Sequence, residues 1–466
     1  MDAADRIGSL IGRKKVMRPG ASSAYSRDES YLPGIRPLAV VFPASTKDVS
    51  AVARACNASR TVIVARGGGS SLTGASIPTR NSIVLDMSKM SRILETRIED
   101  EYVVVEPGIA LDALNRHLSR YGYFYPPDPA SSAFATVGGT ISTNAGGLRA
   151  IMYGSTKEWV LGLEVVLADG RIIHTGSRTT KRSIGYDLTA IMVGSEGTLG
   201  IITKAILKIW PKPETTGRIV SYYPTISSAA AAVGAIKRKG IIPLSSEFMD
   251  ATSLGLMHKY LGMRFPSGSK YSALMDLAGG RESMQHLLSS AEKALRNSGA
   301  TSVTVSKSKA EMEKMLNARK HLFDATLKKA KSEGKSVIIA DIVVPSSALP
   351  TTLYRMEKAL RRNGIEAALF GHIADGNVHA NMIADPNTEK KVLDKLQDEF
   401  GRIAISGGGS ISGEHGIGLA KKHLLISELK SRDSELSIKI MQEIKKAFDP
   451  NGIMNRGKIF DWPTRR

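Results

Sequence analysis

Residues 66–74 read RGGGSSLTG and directly follow the apolar run TVIVA at 61–65. The run is typical of a buried β-strand, because valine and isoleucine are enriched in strands. Three glycines beside two serines let consecutive backbone N–H groups turn inward around an anion such as a diphosphate. The chain then passes Pro78 and enters a second strand pattern at 82–87, whereas a Rossmann loop leads into a helix. This stretch, the first glycine loop, predicts a phosphate cradle of non-Rossmann type.

Taken alone, the first glycine loop is as compatible with a flexible turn as with a phosphate cradle. Two later stretches repeat its chemistry: TVGGTISTNAGG at 136–147, the second glycine loop, and GSEGTLGIIT at 194–203, the third. Both combine hydroxyl side chains with glycines, which allow close backbone approach. Three such loops in one domain argue against chance and favour the cradle.

The length of the chain, 466 residues, exceeds the size at which a single hydrophobic core stops growing. We therefore expect at least two domains, with a cleft between them as the default active site. The WPKP stretch at 210–213 interrupts helix and strand alike and is the best boundary.

The two sides of this boundary differ in pattern. Between 38 and 203, short β-rich runs alternate with glycine-rich loops and a few helices; in one of these, Ser45 and Asp48 form a capping pair and Cys56 lies on the apolar face. From 225 to 440, long helical stretches alternate with strands, which predicts an antiparallel sheet covered by helices, ferredoxin-like in type. The expected fold class is α+β.

The chain is strongly basic. Lysine and arginine outnumber aspartate and glutamate by 64 to 44, a formal net charge of +20. Such a field attracts anionic substrates, acidic partners, nucleic acid or acidic lipid. The basic residues are dispersed, and their densest cluster lacks the interleaved aromatic residues of a nucleic-acid platform. We expect a solvated basic surface and no nucleic-acid partner.

Cys56 is the only cysteine, which excludes an internal disulfide, a four-cysteine iron–sulfur cluster and a thiolate zinc site. Redox chemistry must then use another cofactor. No apolar run reaches the roughly 18 to 20 residues of a membrane span, and residues 1–10 lack the pattern of a signal peptide. We expect a cytoplasmic protein, with peripheral contact to the inner face of the membrane left open.

The second half contains a pair of histidines in a hairpin pattern, GHIADGNVHAN at 371–381. Asp375 and Gly376 are a strong two-residue turn signal, because both central positions of that turn need positive φ. This register would place His372 directly opposite His379, with Cβ atoms about 4.5 to 5.5 Å apart and both imidazoles within reach of one cation.

Two imidazoles leave a metal site incomplete, so a third ligand should come from elsewhere. The candidate is Glu414 in the stretch GGGSISGEHGIG at 407–418, whose glycines bring it and His415 to one spot. Two imidazoles and a carboxylate suit Zn²⁺, Mn²⁺ or Fe²⁺ and leave positions open for substrate oxygens. Asn381, two residues beyond His379 on the predicted strand, would share its face. An ordinary structural role is less favoured, because three of the nine histidines fall in these two motifs.

A family resemblance supports both halves of this interpretation. The sequences of the glycine loops and their order along the chain resemble those of the FAD domain of the vanillyl-alcohol oxidase superfamily. Three further motifs share this resemblance: PPDPAS at 126–131, YGS at 153–155 and GYDL at 185–188. In the second half, GH..DGN.H and GEHG resemble its D-lactate, glycolate and D-2-hydroxyglutarate dehydrogenase branch.

The resemblance implies a domain layout and a cofactor. An FAD domain would span 1–212 and a substrate domain 213–447, and FDPNGIMNRGK at the start of a closing segment, 448–466, would return the chain to the FAD domain. The FAD would be bound non-covalently, because 68–71 hold no histidine where many relatives attach it.

The resemblance also implies which residues contact FAD. The first glycine loop would hold the pyrophosphate, and the later positions would line the flavin and ribityl region. The full set is Arg66, Gly67, Gly68, Gly69, Ser70, Ser71, Thr136, Gly138, Gly139, Ser142, Asn144, Gly147, Glu196, Gly200, Ile202 and Asn455.

In the second half the resemblance implies metal ligation by His372, His379 and Glu414, with His415 as catalytic base. Arg319 would bind the substrate carboxylate, since a guanidinium matches a carboxylate with two hydrogen bonds.

At two positions of the second half, this chain has a residue different from that of its relatives. Leu316 stands where many have tryptophan, which leaves open a solvated helix charge for Arg319. Ile339 stands where relatives acting on longer diacids can have lysine, which favours a short monoacid.

The expected function is FAD-dependent oxidation of a small D-2-hydroxy acid, D-lactate or glycolate, to the 2-oxo acid. A metal would acidify the hydroxyl, His415 would take its proton, and Arg319 and Asn381 would orient the substrate. A separate quinone, cytochrome, flavoprotein or iron–sulfur subunit would accept the electrons, and we expect a homo-oligomer. The alternatives are a non-redox flavoenzyme resembling alkyl-dihydroxyacetone-phosphate synthase and a flavin-binding subunit without catalysis of its own.

Overall fold

The computed structural model describes residues 2–18, 23–306 and 308–462. The chain divides into two compact units. The first unit comprises Met1–Gly146, Gly154–Lys212 and Glu414–Arg466, and the second comprises Gly147–Tyr153 and Pro213–Gly413. The first unit therefore takes in a longer C-terminal stretch than the 448–466 segment expected from the closing motif.

Up to residue 212, short strands alternate with short helices. The strands are β1 (Val16–Met17), β2 (Ala39–Val41), β3 (Val62–Arg66), β4 (Ser82–Asp86), β5 (Ile93–Arg97), β6 (Tyr102–Val105), β7 (Tyr123–Phe124), β8 (Val160–Val166), β9 (Ile172–Gly176), β10 (Ile201–Lys208) and β11 (Trp210–Pro211). The α-helices are α1 (Ala3–Ile11), α2 (Thr46–Ser59), α3 (Leu111–Leu118), α4 (Val137–Thr143), α5 (Ala150–Tyr153) and α6 (Leu188–Met192). Single 3₁₀ turns lie at Arg13–Lys15, Ser23–Ser26, Met87–Lys89, Ser119–Tyr121 and Thr156–Trp159.

The first unit contains two main sheets. One has the order β1-β2-β4-β3, in which β2, β4 and β3 run parallel, and the other has the antiparallel order β5-β6-β10-β8-β9. The predicted cap of α2 is present: the Ser45 side chain accepts a hydrogen bond from the Asp48 N–H at 3.2 Å. Cys56 on this helix is fully buried in the core that includes Val49 and Val52.

The closing motif pairs with β3 inside the first unit. The Ile63 N–H donates to the Ile453 carbonyl at 2.8 Å, and the Asn455 N–H donates to the Ile63 carbonyl at 2.8 Å. This parallel bridge places Asn455 beside the strand that leads into the first glycine loop.

Beyond residue 212, longer helices alternate with the strands of the second unit's sheet, and the last two helices of the chain belong to the first unit. The strands are β12 (Thr215–Tyr223), β13 (Ser245–Met249), β14 (Tyr271–Gly279), β15 (Ser302–Val305), β16 (Ser336–Val343), β17 (Glu366–His372) and β18 (Asn377–Ala384). The helices are α7 (Ile226–Lys237), α8 (Ala251–Leu261), α9 (Arg281–Asn297), α10 (Lys309–Lys320), α11 (Leu322–Ser332), α12 (Leu349–Arg362), α13 (Lys390–Ser406), α14 (Lys422–Ser431) and α15 (Glu435–Phe448).

The sheet of the second unit is antiparallel throughout, in the order β15-β12-β14-β13-β17-β18-β16. One of its faces carries Met249, Leu274 and Phe370, which pack against Leu254 of α8 and Leu322 of α11. Helices α7, α9, α12 and α13 also pack on the sheet. Along β13, β17, β18 and β16, successive side chains point to opposite faces of the sheet. One side chain in two on each of these strands therefore lies on the same face as Phe370.

None of the helices in the described ranges has the length and apolar character needed to cross a membrane.

Candidate active site

The first glycine loop presents backbone N–H donors that have no acceptor among the described residues. The N–H groups of Gly68, Gly69, Ser70 and Ser71 make no hydrogen bond to any residue that the structure describes. Gly69 has φ 71°, in the left-handed region. A run of such N–H groups is the arrangement that an anionic diphosphate requires. The loop therefore fits FAD, whose pyrophosphate would satisfy these donors.

Glycine is required in this loop because the second glycine loop, together with Phe134 just before it, packs against it. A Cβ on Gly68 would lie 2.1 Å from the carbonyl oxygen of Phe134, and one on Gly67 would lie 2.2 Å from Oγ1 of Thr136. Such distances are far below van der Waals contact, so a side chain at either position would push the two loops apart.

The second glycine loop contains the whole of α4 together with both of its cap residues. Thr136 caps this helix by accepting a hydrogen bond from the Gly139 N–H at 3.3 Å, and the Gly138 N–H donates to Pro107 at 2.8 Å. Asn144 ends the helix with φ 52°. These predicted FAD contacts thus have structural roles within the protein as well.

Several other predicted FAD residues also have protein partners or packing neighbours. Arg66 donates to the Arg27 carbonyl at 2.7 Å, and Ser142 donates to the Gly138 carbonyl at 2.8 Å. Ile202 pairs with Val165 in the sheet, and a Cβ on Gly200 would lie 2.6 Å from the same valine. Gly147 begins the short stretch that belongs to the second unit. Their contact with FAD stays a prediction.

The third glycine loop holds the buried Glu196, which has φ 50°. Its carboxylate accepts hydrogen bonds from the N–H groups of Ile417 at 2.6 Å and Gly418 at 2.8 Å. Asn455 donates to the Glu196 carbonyl at 2.7 Å. Burial raises the pKa of Glu196 to about 7, against the opposing effect of the two N–H groups. Glu196 thus connects the third glycine loop with the 407–418 stretch and with the closing motif inside the first unit.

The predicted two-residue hairpin turn is wrong. The turn spans four residues, 373–376, with hydrogen bonds from Asp375 N–H to the His372 carbonyl and from Gly376 N–H to the Ile373 carbonyl. Of these turn residues only Gly376 has positive φ, and its carbonyl accepts from the Val344 N–H at 3.0 Å. The tighter turn, with positive φ at both Asp375 and Gly376, is therefore not formed.

The register shifts by two residues as a result. Phe370, not His372, lies directly opposite His379. A shift of two keeps every side chain on its predicted face, so His372 becomes a diagonal neighbour of His379. The ring centroids are 5.5 Å apart, and the two rings offer nitrogens within 4.8 Å of each other. The predicted juxtaposition of the two imidazoles is thus present in the second unit.

A buried carboxylate stands behind each imidazole. Glu247, directly opposite His372 in the β13–β17 ladder, has its Oε1 2.5 Å from His372 Nδ1. Asp341, directly opposite His379 in the β16–β18 ladder, has its Oδ1 3.6 Å from His379 Nδ1. Both carboxylates are essentially inaccessible, at 0% and 1% exposure.

Glu247 has a second partner, the predicted substrate arginine. The Arg319 Nη2 lies 2.5 Å from Glu247 Oε2, and its guanidinium carbon lies 4.5 Å from the centre of the Phe370 ring. Burial raises the pKa of Glu247, but the neighbouring His372 and Arg319 outweigh it and hold that pKa below the usual range. Arg319 is therefore part of the histidine cluster, and the alternative of a solvated helix charge is wrong.

Asn381 is fully buried on the same face, directly opposite Ile339. Within the described residues, neither its amide oxygen nor its amide nitrogen has a hydrogen-bond partner. An unpaired buried amide is unfavourable for folding, so its presence suggests that something outside the protein pairs with it. This observation favours the predicted role of Asn381 in orienting a substrate.

The 407–418 stretch is anchored at both ends. Its first part belongs to the second unit, where Ser410 pairs with Val343 and the Gly413 N–H donates to Asp341 Oδ2 at 3.1 Å. Its second part belongs to the first unit, where the His415 carbonyl accepts from Thr73 Oγ1 at 3.2 Å. The bond between Gly413 and Glu414 is where the chain passes from one unit to the other.

Sequence reasoning missed Glu247 and Asp341. Both are single carboxylates inside otherwise uncharged and largely buried strands, SSEFM and SVIIADIV. A charged residue in a buried strand needs a compensating partner, and that signal could have identified both as site candidates.

Comparisons with known proteins identify the family. Residues 37–176 match the family described as FAD binding domain, and residues 212–459 match FAD linked oxidases, C-terminal domain. A glycolate oxidase subunit GlcD of Bacillus subtilis is 36% identical over 445 residues, covering 95% of this chain and 93% of that protein. A D-lactate dehydrogenase of Archaeoglobus fulgidus is 34% identical over 452 residues, covering 94% and 96%. A solved structure of an alkyldihydroxyacetonephosphate synthase has a TM-score of 0.76 at 19% identity, covering 97% of this chain and 85% of that one.

The chain therefore belongs to the FAD-linked oxidases, and it has an FAD-binding domain of the vanillyl-alcohol oxidase type followed by their C-terminal domain. Within that family it is an FAD-linked oxidoreductase, similar to D-lactate dehydrogenases and glycolate oxidase subunits. The expected family, fold class and FAD cofactor are confirmed. The likeness to the synthase shows the fold alone, so the non-redox alternative is not favoured.

Proposed function

We propose that this protein oxidises a small D-2-hydroxy acid, D-lactate or glycolate, to the corresponding 2-oxo acid. The observation that carries the proposal is the sheet face on which His372, His379, Arg319 and Asn381 come together, each of them largely buried. The glycolate oxidase subunit and D-lactate dehydrogenase named above support the substrate class. Bound FAD would accept a hydride from C2 of the substrate, and a divalent cation would acidify the substrate hydroxyl.

His372, His379 and Glu414 would hold the cation. Glu414 directly follows Gly413, which is hydrogen-bonded to Asp341 behind His379. Since consecutive Cα atoms are about 3.8 Å apart, the chain tethers this carboxylate close to that anchor. Two imidazoles and one carboxylate suit Zn²⁺, Mn²⁺ or Fe²⁺ and leave ligand positions for the substrate.

The remaining residues would bind and deprotonate the substrate. Arg319 would attract its carboxylate, and the Asn381 amide would hydrogen-bond to a substrate oxygen. His415 would take the hydroxyl proton as general base. Ile339, the ladder neighbour of Asn381, presents an apolar side chain on the same face, which suits a short substrate without a second carboxylate.

The electrons would leave through a separate acceptor, because Cys56 is the only cysteine and an internal four-cysteine cluster is excluded. A quinone, a cytochrome, a flavoprotein or an iron–sulfur subunit would serve. The +20 net charge favours an acidic partner or acidic lipid at the cytoplasmic membrane face. We also propose a homo-oligomer and non-covalent FAD.

The direct test is anaerobic mixing of the FAD-loaded protein with a panel of D- and L-2-hydroxy acids, followed by flavin absorbance. Bleaching by D-lactate or glycolate and not by L-lactate is expected. Slow reoxidation in air would indicate a dehydrogenase, whereas prompt peroxide formation would indicate an oxidase. Absence of bleaching by every hydroxy acid, with FAD bound, would refute the proposal and leave a flavin-binding subunit.

A further inference from the structure

Glu247 is a buried carboxylate that contacts both a proposed metal ligand and the proposed substrate arginine. Its Oε1 lies 2.5 Å from His372 Nδ1, and its Oε2 lies 2.5 Å from Arg319 Nη2. It lies within β13, is 0% exposed, and is directly opposite His372 in the ladder. Two separate partners on its two oxygens make this a bridge rather than a simple ion pair.

The first contact decides which histidine nitrogen is available. A carboxylate accepts hydrogen bonds only, so the hydrogen between the two groups must be carried by His372 Nδ1. A neutral imidazole then has its lone pair on Nε2, and the lone pair is what a cation binds. His372 would therefore present Nε2, and not Nδ1, to a metal.

The second contact fixes the guanidinium. Glu247 holds Arg319 at one nitrogen, while the Phe370 ring lies 4.5 Å from the guanidinium carbon. Phe370 is in turn directly opposite His379, with ring centroids 5.6 Å apart. The arginine is thus positioned relative to the histidine pair by the same carboxylate that orients His372.

We propose that Glu247 is a positioning residue that orients His372 for metal binding through Nε2 and holds Arg319 for the substrate carboxylate. The inference rests on the proposed metal site and deepens it. Loss of a carboxylate behind a ligating histidine typically weakens metal binding about 10- to 100-fold. The ion pair with Glu247 positions the Arg319 guanidinium. Its loss should therefore raise KM for the hydroxy acid about tenfold, as expected for a weakened contact to a charged group.

The test compares Glu247→Gln with a matched control, Asp276→Asn. Asp276 is also a buried carboxylate paired with an arginine, Arg218, on the neighbouring strand β14, at 2.5 and 2.6 Å. Full-length, FAD-loaded protein is stripped with a chelator and titrated with Zn²⁺. We expect the Zn²⁺ dissociation constant to rise about 10- to 100-fold in Glu247→Gln and to stay unchanged in Asp276→Asn.

Equal Zn²⁺ affinity in the wild type and Glu247→Gln would overturn the inference while leaving the metal site intact. Absence of Zn²⁺ binding by the wild type would instead refute the proposed metal site itself. If Glu247→Gln does not fold, crystals of the Zn²⁺-loaded wild type decide the matter. Nε2 of His372 facing the zinc supports the inference, and Nδ1 facing the zinc overturns it.

Discussion

The glycine loops of the first unit offer a ligand different chemical groups from those of the histidine face, the face of the second unit's sheet that carries His372 and His379. The first glycine loop offers backbone N–H groups, and its essential side-chain property is the missing Cβ of Gly67 and Gly68. The histidine face offers imidazole side chains that lie beside buried carboxylates. A site made of backbone should be sensitive to added volume, whereas a site made of side chains should be sensitive to chemical identity.

The largest expected effect separates chemistry from cofactor binding. His372→Ala removes one proposed metal ligand and changes a residue of the second unit, whereas the first glycine loop belongs to the first unit. We expect turnover with D-lactate to fall at least about 10³-fold, since the metal supplies several kcal/mol of stabilisation, with FAD content unchanged by absorbance.

His286→Ala is the matched control, because His286 is an exposed histidine on α9. It should leave turnover unchanged. Loss of FAD in His372→Ala would contradict the separation of roles.

The next effect concerns the carboxylate among the glycine loops. The pKa of Glu196 is raised from 4.5 to about 7 by burial, so the folded state holds this proton more tightly than the unfolded state. Its contribution to the free energy of unfolding is fully present below pH 4.5 and is lost as pH rises through 7. Over this pH range, the free energy of unfolding should therefore fall by up to about 3 kcal/mol less in Glu196→Gln than in the wild type. Urea unfolding of both proteins from pH 4.5 to 8 measures it, and parallel pH profiles would contradict it.

A smaller effect tests whether the first glycine loop binds FAD, by adding side-chain volume to that loop. Gly68→Ala would place a Cβ 2.1 Å from the Phe134 carbonyl oxygen. Overpacking of this kind costs about 1 to 3 kcal/mol, so we expect the FAD dissociation constant to rise about 10- to 100-fold. Gly255→Ala is the control, because a Cβ there meets no atom within 4 Å. Unchanged FAD affinity in Gly68→Ala, measured by fluorescence titration, would argue against the cradle.

The smallest effect distinguishes two buried asparagines of β18. Asn381 has no hydrogen-bond partner in the part of the chain that the structure describes, whereas Asn377 donates to Asp341 at 2.7 Å and to the Ile342 carbonyl at 2.8 Å. Asn381→Leu should therefore keep or raise the free energy of unfolding, by up to about 1 kcal/mol, while Asn377→Leu should lower it by about 1 to 3 kcal/mol.

The same Asn381→Leu variant should lower kcat/KM about tenfold, the loss of roughly one hydrogen bond to substrate. Thermal unfolding and steady-state kinetics on both variants measure these effects. Unfolding free energies that fall equally in the two variants would show that Asn381 is paired in the folded protein.

The sequence allowed the fold class and the faces of the strands to be predicted, but not their exact register. Strand periodicity of two fixes which residues share a face, so His372 and His379 were correctly placed together. Turn length fixes register, and the four-residue turn at 373–376 shifted it by two.

The carboxylates escaped prediction for a different reason. Glu247 lies 125 positions from His372 along the chain and becomes its neighbour only because β13 pairs with β17. Strand order in an antiparallel sheet is decided by packing of the whole unit, which local patterns do not encode. The glycine loops, in contrast, were recognisable because the whole motif is local in sequence.

The central claim is that a divalent cation on the histidine face is needed for hydride transfer to FAD. Its most direct measurement is stopped-flow flavin reduction by D-lactate under anaerobic conditions, in chelator-stripped protein and after Zn²⁺ or Mn²⁺ is restored. The account predicts that stripped protein retains FAD but reduces it at least about 10³-fold more slowly, and that added cation restores the rate. Equal reduction rates in the stripped and restored proteins would contradict it.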